Sequence, residues 1–190
     1  LGADSAITVS IKNGQRAVGL LQGEAFFKVV RDENRPFIVS HGSTRTRVLG
    51  TEFEVRETGE GTEVSVVEGA VEVAAEGPAG GGQRLSAGRR IRMGDTDEKI
   101  QESEAVETAE VAAWRRGELI VDDWTLRQVV DTLDRHYGGT ILFDGRSTGK
   151  RRISGAYKLD KPVDAVRLIA RAQNLNVREL TDWLVVLTPY

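Results

Sequence analysis

Cysteine is absent from this 190-residue sequence. Disulfide bonds and thiolate metal sites are therefore excluded, and the composition suits either the cytoplasm or a periplasm. No apolar run approaches the roughly 20 residues that cross a bilayer, and no signal peptide is recognisable. Methionine occurs only at Met93. Leu1 is then not a translation start, and we expect the chain to be a piece of a longer protein.

Side chains that carry chemistry are also scarce. The two histidines, His41 and His136, have no partner at metal-ligand spacing, and the sequence contains no phosphate-binding glycine loop and no Gly-x-Ser-x-Gly elbow. Carboxylates are plentiful, but their positions give no support to a glycosidase-like pair. A net charge of −3 without a basic stripe argues against nucleic acid. We therefore predict a non-enzyme with no catalytic residue, metal, cofactor or small-molecule ligand.

The first half of the chain is rich in glycine and in short alternating segments. Apolar residues recur at or near every second position after Gly23, Gly50, Gly69 and Gly88, and the last three of these glycines stand 19 residues apart. Such alternation indicates strands with one buried face, and a glycine at each strand start allows a tight turn or a bulge. We predict that residues 1–94 form an all-β domain, a glycine-punctuated stack that is either a sandwich or solenoid-like.

Acidic residues dominate the next segment, 95–112, where apolar positions are sparse. This composition predicts an exposed acidic linker.

The remaining residues, 113–190, have the pattern of a small α+β domain. Two helical segments alternate with strands, and a shift of 37 residues aligns Asp123 with Asp160 and Leu126 with Val163. Both aspartates precede a helix, so we expect them to be its N-cap residues. The repeat predicts two βαβ units that pack their helices on a short sheet.

Tryptophan occurs only in this second domain. Trp114 and Trp124 flank its first strand, and Trp183 starts its last one. Each tryptophan either caps the small core or lies at the domain junction or in a partner interface, where amphipathic aromatic residues are enriched.

Several segments, taken in order, resemble FecR-type anti-sigma regulators. They are LLQGEAFFKV at 20–29, RPFIV at 35–39, VLGTEFEV at 48–55, VEGAVEV at 67–73, LSAG at 85–88 and WRRGEL at 114–119. The resemblance extends over nearly the whole chain. Residues 113–190 resemble in addition the short N-terminal domain of secretins and of TonB-dependent transducers.

The resemblance implies a location and partners. It implies the periplasmic region of a single-pass inner-membrane protein of a Gram-negative bacterium. This region would receive a signal from the N-terminal signalling domain of a TonB-dependent outer-membrane transducer, typically one loaded with a ferric siderophore. A cytoplasmic segment absent from this sequence would hold an extracytoplasmic-function sigma factor, and site-specific proteases would release it.

Short sheets leave unpaired edges that can accept a strand from another chain. We therefore expect the signalling domain of the transducer to dock on the second domain, near residues 153–157 or 184–187. The candidate contact residues are Ile153, Ser154, Gly155, Ala156, Tyr157, Leu184, Val185, Val186, Leu187, Trp114 and Trp124.

The alternative function is that of a periplasmic enzyme, a carbohydrate-binding module or another β-rich binding module. A sugar-binding face needs exposed aromatic residues in line on alternate strand positions. The aromatic residues of the first domain are Phe26, Phe27, Phe37 and Phe53, without tryptophan or tyrosine. Because phenylalanine is typical of cores, this alternative is disfavoured.

Overall fold

The computed structural model describes residues 1–12, 14–76, 82–94, 103–143 and 148–189. The chain divides into two units, Leu1–Ala112 and Ala113–Tyr190. Strands dominate the first unit, and two α-helices join the strands of the second. This arrangement confirms the prediction of a β-rich domain followed by a small α+β domain. No described helix is long and apolar enough to cross a membrane.

Eleven strands occupy the described part of the first unit. They are β1 (Ala6–Lys12), β2 (Gln15–Gln22), β3 (Glu24–Lys28), β4 (Phe37–His41), β5 (Thr44–Val48), β6 (Glu52–Thr58), β7 (Gly61–Glu68), β8 (Ala70–Ala75), β9 (Gln83–Ser86), β10 (Arg89–Gly94) and β11 (Glu104–Ala105). A six-stranded sheet has the order β1-β2-β4-β5-β8-β9, and a five-stranded sheet has the order β11-β10-β7-β6-β3. The sequence Asn13-Gly14 is a strong signal for a hairpin turn. Asn13 lies outside the described residues, but β1 and β2 form the antiparallel pair that such a turn joins.

One apolar core lies between these two sheets. Leu20 and Val73 enter it from the six-stranded sheet, and Phe53, Val64 and Ile91 enter it from the five-stranded sheet. Alternate residues of each strand point into the core because side-chain direction reverses at every residue of a strand. The first unit is therefore a β-sandwich, which decides between the two predicted forms.

The predicted glycines lie where the chain crosses from one sheet to the other. Gly23 separates β2 from β3, Gly50 separates β5 from β6, Gly69 separates β7 from β8, and Gly88 lies between β9 and β10. Gly69 has a φ of 83°, and a Cβ there would lie 3.0 Å from the carbonyl oxygen of Gly50. The 19-residue spacing thus corresponds to one strand pair, β6–β7 or β8–β9, plus one crossing.

The acidic segment differs from the predicted exposed linker. Residues 95–102 lie outside the described part of the chain. Residues 103–112 belong to the first unit, where β11 pairs with β10. Val106 and Val111 are only 9% and 3% exposed. Both valine side chains of residues 103–112 are therefore buried, although the acidic composition of the segment is typical of a solvated linker.

The described part of the second unit contains five strands and two α-helices, besides short 3-10 helices at Ala113–Arg116 and Thr148–Lys150. The strands and α-helices are β12 (Glu118–Thr125), α1 (Leu126–Asp134), β13 (Thr140–Phe143), β14 (Arg152–Lys158), α2 (Pro162–Ala172), β15 (Leu175–Thr181) and β16 (Leu184–Pro189). β12 and β14 form a two-stranded sheet, and a three-stranded sheet has the order β13-β16-β15. The helices and both sheets share a core that includes Leu126, Val166, Ile169 and Leu187.

The strand–helix–strand order repeats as predicted, but the pairing of the strands does not follow it. The two strands that flank α1 belong to different sheets, and so do the two strands that flank α2. Neither repeat is therefore a βαβ unit with both strands in one sheet. Sequence periodicity reports which face of a strand is buried, and it carries no information about which strand lies beside it.

The helix starts also differ from prediction. The N-cap of α1 is Thr125 and that of α2 is Lys161, so Asp123 and Asp160 are not N-caps. The Thr125 hydroxyl accepts from the backbone N–H of Gln128 at 3.2 Å, and the Gln128 side chain accepts from the backbone N–H of Thr125 at 2.8 Å. This capping box satisfies two donors at the helix start, which no aspartate two residues earlier can do.

Candidate functional site

The predicted segment 153–157 lies in β14, which is an edge strand. β14 pairs with β12 along one side, from Glu118 opposite Lys158 to Thr125 opposite Arg152. No other strand of the described chain pairs with it. All but two of its residues are exposed. The second side of β14 therefore leaves backbone groups available to a further strand.

β14 is firmly attached to its own unit. Ile153 is only 4% exposed and belongs to the core, and Tyr157 packs against that core. The hydroxyl of Ser154 donates to the Asp122 carboxylate at 2.9 Å and accepts from the backbone N–H of Asp123 at 3.0 Å. Burial raises the pKa of the Tyr157 phenol, which stays neutral at physiological pH. An added strand would thus meet an edge that is already formed.

The free side of β14 is accessible along its middle. Gly155 and Ala156 are small and exposed, so another backbone can approach closely there. At one end, the ammonium group of Lys158 lies 2.8 Å from the carboxylate of Glu118. That hydrogen bond and the charge of Glu118 raise the pKa of Lys158. The cation is therefore held beside β12.

β12, the other strand of this sheet, is a poorer edge. Its register with β14 shifts between Val121 and Trp124. The intervening Asp122 and Asp123 are both exposed, and Asp123 has a φ of 52°. Bulges and exposed charges are devices by which edge strands avoid pairing with other chains. Of the two strands, β14 is therefore the one suited to accept a partner.

The second predicted segment, 184–187, lies in β16, and the edge-pairing argument is wrong there. β16 is the central strand of its sheet, parallel to β13 on one side and antiparallel to β15 on the other. Its backbone groups are therefore already engaged on both sides. Val185 and Leu187 are also buried in the core, at 1% and 0% exposure.

The remaining two residues of this segment lie on the outer face of the three-stranded sheet. Leu184 and Val186 are half-buried and alternate with the buried Val185 and Leu187. Leu142 of β13 pairs with Val186 and is 49% exposed. This apolar face, rather than an edge, is what segment 184–187 offers to a partner.

The three tryptophans differ in their burial. Trp114 and Trp124 are half-buried and pack against the core of the second unit, as expected of residues that cap it. Trp183 lies before β16, and its side chain is 68% exposed. A core-capping role is therefore wrong for Trp183. The sequence shows that Trp183 adjoins a strand of alternating apolar residues. It does not show that the turn between β15 and β16 directs the Trp183 side chain into solvent.

The phenylalanines of the first unit do not form a platform for sugars. Phe27 lies between Phe53, with ring centroids 5.2 Å apart, and Phe37, at 5.6 Å. Phe53 is fully buried. His41 contacts the hydroxyl of Thr62 at 2.7 Å. Within the described residues, no group of three or more His, Asp or Glu side chains is arranged to hold a metal ion.

A buried network of charges lies on the face of the five-stranded sheet opposite the sandwich core. Glu63 is at its centre and is only 2% exposed. Its carboxylate lies 2.7 Å from Arg56, 3.3 Å from Arg90 and 2.9 Å from Arg92. Glu104 of β11 extends the network through a 2.9 Å ion pair with Arg92. The network thus connects three neighbouring strands of the sheet with the segment that follows them.

The arginines decide the ionisation of Glu63. Burial alone would raise the pKa of this carboxyl group, but the positive charges of Arg56, Arg90 and Arg92 outweigh burial and hold its pKa below the usual value. Glu63 is therefore ionised at neutral pH. Among the described residues, the ion pairs of Glu63 are all with arginines of this sheet, so we assign the network a structural role in the first unit.

Comparisons with known proteins point to one kind of protein. A family model described as FecR protein matches residues 1–72. Two crystal structures of a putative anti-sigma factor from Parabacteroides distasonis ATCC 8503 share the fold, with TM-scores of 0.87 and 0.86. Each is 27% identical to this chain; the matches cover 100% of this chain and 89% and 88% of the other. No curated protein matches.

Proposed function

We propose that this chain, whose residues 1–72 match the FecR family model and whose fold is similar to that of a putative anti-sigma factor, is the periplasmic sensor region of a membrane-anchored anti-sigma regulator of the FecR family. In this role it binds the N-terminal signalling domain of a TonB-dependent outer-membrane transducer. The signal passes to an extracytoplasmic-function sigma factor that a cytoplasmic segment holds. Site-specific proteases then release the sigma factor. The regulated process is ferric-siderophore uptake.

The free edge of β14 is the observation that carries this proposal. A strand that pairs on one side only, and that is exposed along Gly155 and Ala156, can accept an extended segment of another protein through main-chain hydrogen bonds. Such pairing needs no catalytic group or ligand pocket. It therefore suits a chain whose sequence predicts binding without chemistry.

The outer face of the three-stranded sheet is a second contact surface for the same partner. Leu142, Leu184 and Val186 give it an apolar character, and apolar surface of this kind is enriched at the centre of protein interfaces. The partner can therefore dock in two ways, by adding a strand to β14 or by packing on this face. The measurements described next distinguish the two ways.

Calorimetric titration of the full 190-residue chain with the purified signalling domain of the transducer encoded beside its gene tests the function. We expect a saturable 1:1 complex. Amide hydrogen exchange of the complex tests the placement. Residues of β14 alternate in the side to which their N–H groups point, so the amides that face away from β12 should become protected while those bonded to β12 change little.

Paired proline variants sharpen this test. Gly155→Pro and Ala156→Pro remove N–H groups that point to opposite sides of β14. The variant that loses an N–H group on the free side of β14 should keep the unfolding midpoint of the wild type. We expect this variant to bind the signalling domain at least about tenfold more weakly, a loss of about 1.4 kcal/mol in binding free energy. Leu168→Lys, at an exposed position of α2 (57%), is the matched control that should bind normally.

The outcomes separate function from placement. A dissociation constant of about 1 μM corresponds to a weak specific complex. If no binding is detected at protein concentrations about 100-fold above that value, the proposed function is overturned. Binding without protection of β14, combined with loss of affinity in Leu142→Lys, would keep the function and move the docking site to the face of the three-stranded sheet.

A further inference from the structure

The first strand of the sandwich is an edge strand with an uncovered apolar face. β1 pairs only with β2 among the described strands. Val9 lies opposite Val18 of β2, and Ile7 lies opposite Leu20, so these residues share the core-facing side of the sheet. Val18 and Leu20 are buried, yet Val9 is 62% exposed and Ile11 is 74% exposed. The apolar row of the core thus continues onto β1 and ends in solvent.

β1 also lacks the usual protection of an edge strand. Natural edges carry charges, prolines or bulges that prevent further pairing. The segment Ala6–Ile11 has no charged residue and no proline. Its register with β2 shifts between Ala6 and Ile7, at the start of the strand, and is regular from Ile7 to Lys12. An edge of this kind, apolar on one face and unguarded, is suited to pair with another strand.

The sequence of β1 is complementary to itself. Residues 7–11 read Ile-Thr-Val-Ser-Ile, which is nearly the same in both directions about Val9. In an antiparallel pair of two β1 strands centred on this residue, Val9 lies opposite Val9 of the second copy and Ile7 lies opposite Ile11. Thr8 then lies opposite Ser10 on the other face. Apolar residues meet apolar residues, and hydroxyls meet hydroxyls.

The one charged residue of β1 does not face a like charge in this pair. In the same register Lys12 lies opposite Ala6 of the second copy, and the two copies of Lys12 lie at opposite ends of the pair. The occupant that fits this edge is therefore a second copy of the same chain.

We propose that this chain forms a two-fold symmetric dimer through antiparallel pairing of β1 with β1, which joins the two six-stranded sheets into one. The contact is isologous, so the same patch serves both copies and the assembly closes at two. Two seven-residue strands bury less than the about 1,200 Å² of a typical stable interface. The dimer is accordingly weak and depends on concentration.

Charge substitutions at the symmetry axis test this dimer. Sedimentation of the full chain from about 10 μM to 1 mM, the range of weak complexes, should show a monomer–dimer equilibrium. Val9→Lys and Val9→Glu each place like charges opposite one another, and each should raise the dissociation constant at least about tenfold. An equimolar mixture of the two variants should dimerise at least about tenfold more tightly than either variant alone.

A second site and a control complete the design. Ile11→Lys, at the more exposed position, should also weaken the dimer, and Leu168→Lys in α2 should leave it unchanged. Far-UV circular dichroism identifies any variant that fails to fold, and the pair of Val9 variants and Ile11→Lys provide independent tests of the same interface. A chain that stays monomeric at 1 mM, or a dimer that is insensitive to the Val9 variants and to their mixture, overturns the proposal.

Discussion

Replacing Glu63 by glutamine removes the negative charge at the centre of the buried network while keeping the size of the side chain. Arg56 lies 2.7 Å from this carboxylate, and its own side chain is only 10% exposed. In the variant the guanidinium group stays buried and loses its strongest counter-charge, while the weaker charges of Glu54 and Glu24 remain. The same substitution weakens the contacts that Arg90 and Arg92 make with this position.

The expected loss of stability is large because the charge that remains is buried. Removing one partner of a buried ion pair costs about 3–5 kcal/mol. Since glutamine can still accept a hydrogen bond from one arginine, we expect the lower end, about 3 kcal/mol. Glu33→Gln is the matched control. Glu33 forms a 2.6 Å ion pair with Arg31, but both side chains are exposed, and this variant should unfold like the wild type.

The pH dependence separates a charge effect from a packing effect. The pKa of Glu63 lies below its ordinary value of 4.5 in the folded chain. A lowered pKa contributes stability that is present above the unfolded value and is lost as the pH falls through the folded value. The difference in unfolding free energy between wild type and Glu63→Gln should therefore be largest near pH 7 and should shrink as the pH falls below 4.5.

The assay must report on the first unit. All three tryptophans, Trp114, Trp124 and Trp183, lie in the second unit, so tryptophan fluorescence follows that unit alone. Far-UV circular dichroism in urea reports on the sandwich as well, and urea leaves the ion pairs unscreened because it is uncharged. A destabilisation below about 1 kcal/mol at pH 7, typical of exposed pairs, or one that is equal at pH 7 and pH 3.5, would refute the assigned role of Glu63.

Three further substitutions test the fold. Gly69→Ala should destabilise the sandwich by about 1–3 kcal/mol, because φ is 83° and the new Cβ meets a carbonyl oxygen at 3.0 Å; Gly14→Ala, with a φ of 76° but open space, should cost less, and equal urea midpoints would contradict the contact argument. Thr125→Ala removes the capping box of α1 and should lower the stability of the second unit by about 1 kcal/mol, measured by tryptophan fluorescence; an unchanged transition would mean that the cap contributes nothing. Phe53→Ala empties a fully buried site and should cost about 3–5 kcal/mol in the circular-dichroism transition; a loss below 1 kcal/mol would indicate a core that collapses around the cavity.

The strands of the sandwich could be predicted because their signals are local. Alternating apolar residues mark a strand with one buried face, and a glycine such as Gly69 marks a position that needs a positive φ. The sheet to which each strand belongs could not be predicted in the same way. The alternation in β6 and β7 looks like that in β8 and β9, although these pairs lie in opposite sheets.

The same limit applies to the candidate docking residues. β14 and β16 are both short alternating strands, and the sequence predicted an available edge at each. β14 is an edge, whereas β16 pairs on both sides. Whether a strand has a second neighbour is decided by the topology of the whole unit. Here β16 has a second neighbour because it lies parallel to β13, a strand more than 40 residues earlier in the chain. No residue within β16 records that arrangement.

The packing of the acidic segment 103–112 was not predicted either, because its acidic composition is typical of solvated chain. Glu104, whose side chain is 48% exposed, forms ion pairs with Arg90 at 3.7 Å and with Arg92 at 2.9 Å. Val106 and Val111 then contribute the apolar burial. Ion pairs of an exposed carboxylate contribute little stability, so the burial of the two valines carries most of this packing. The sequence shows the acidic residues of the segment, but it does not show that Arg90 and Arg92 lie beside them on the face of the five-stranded sheet.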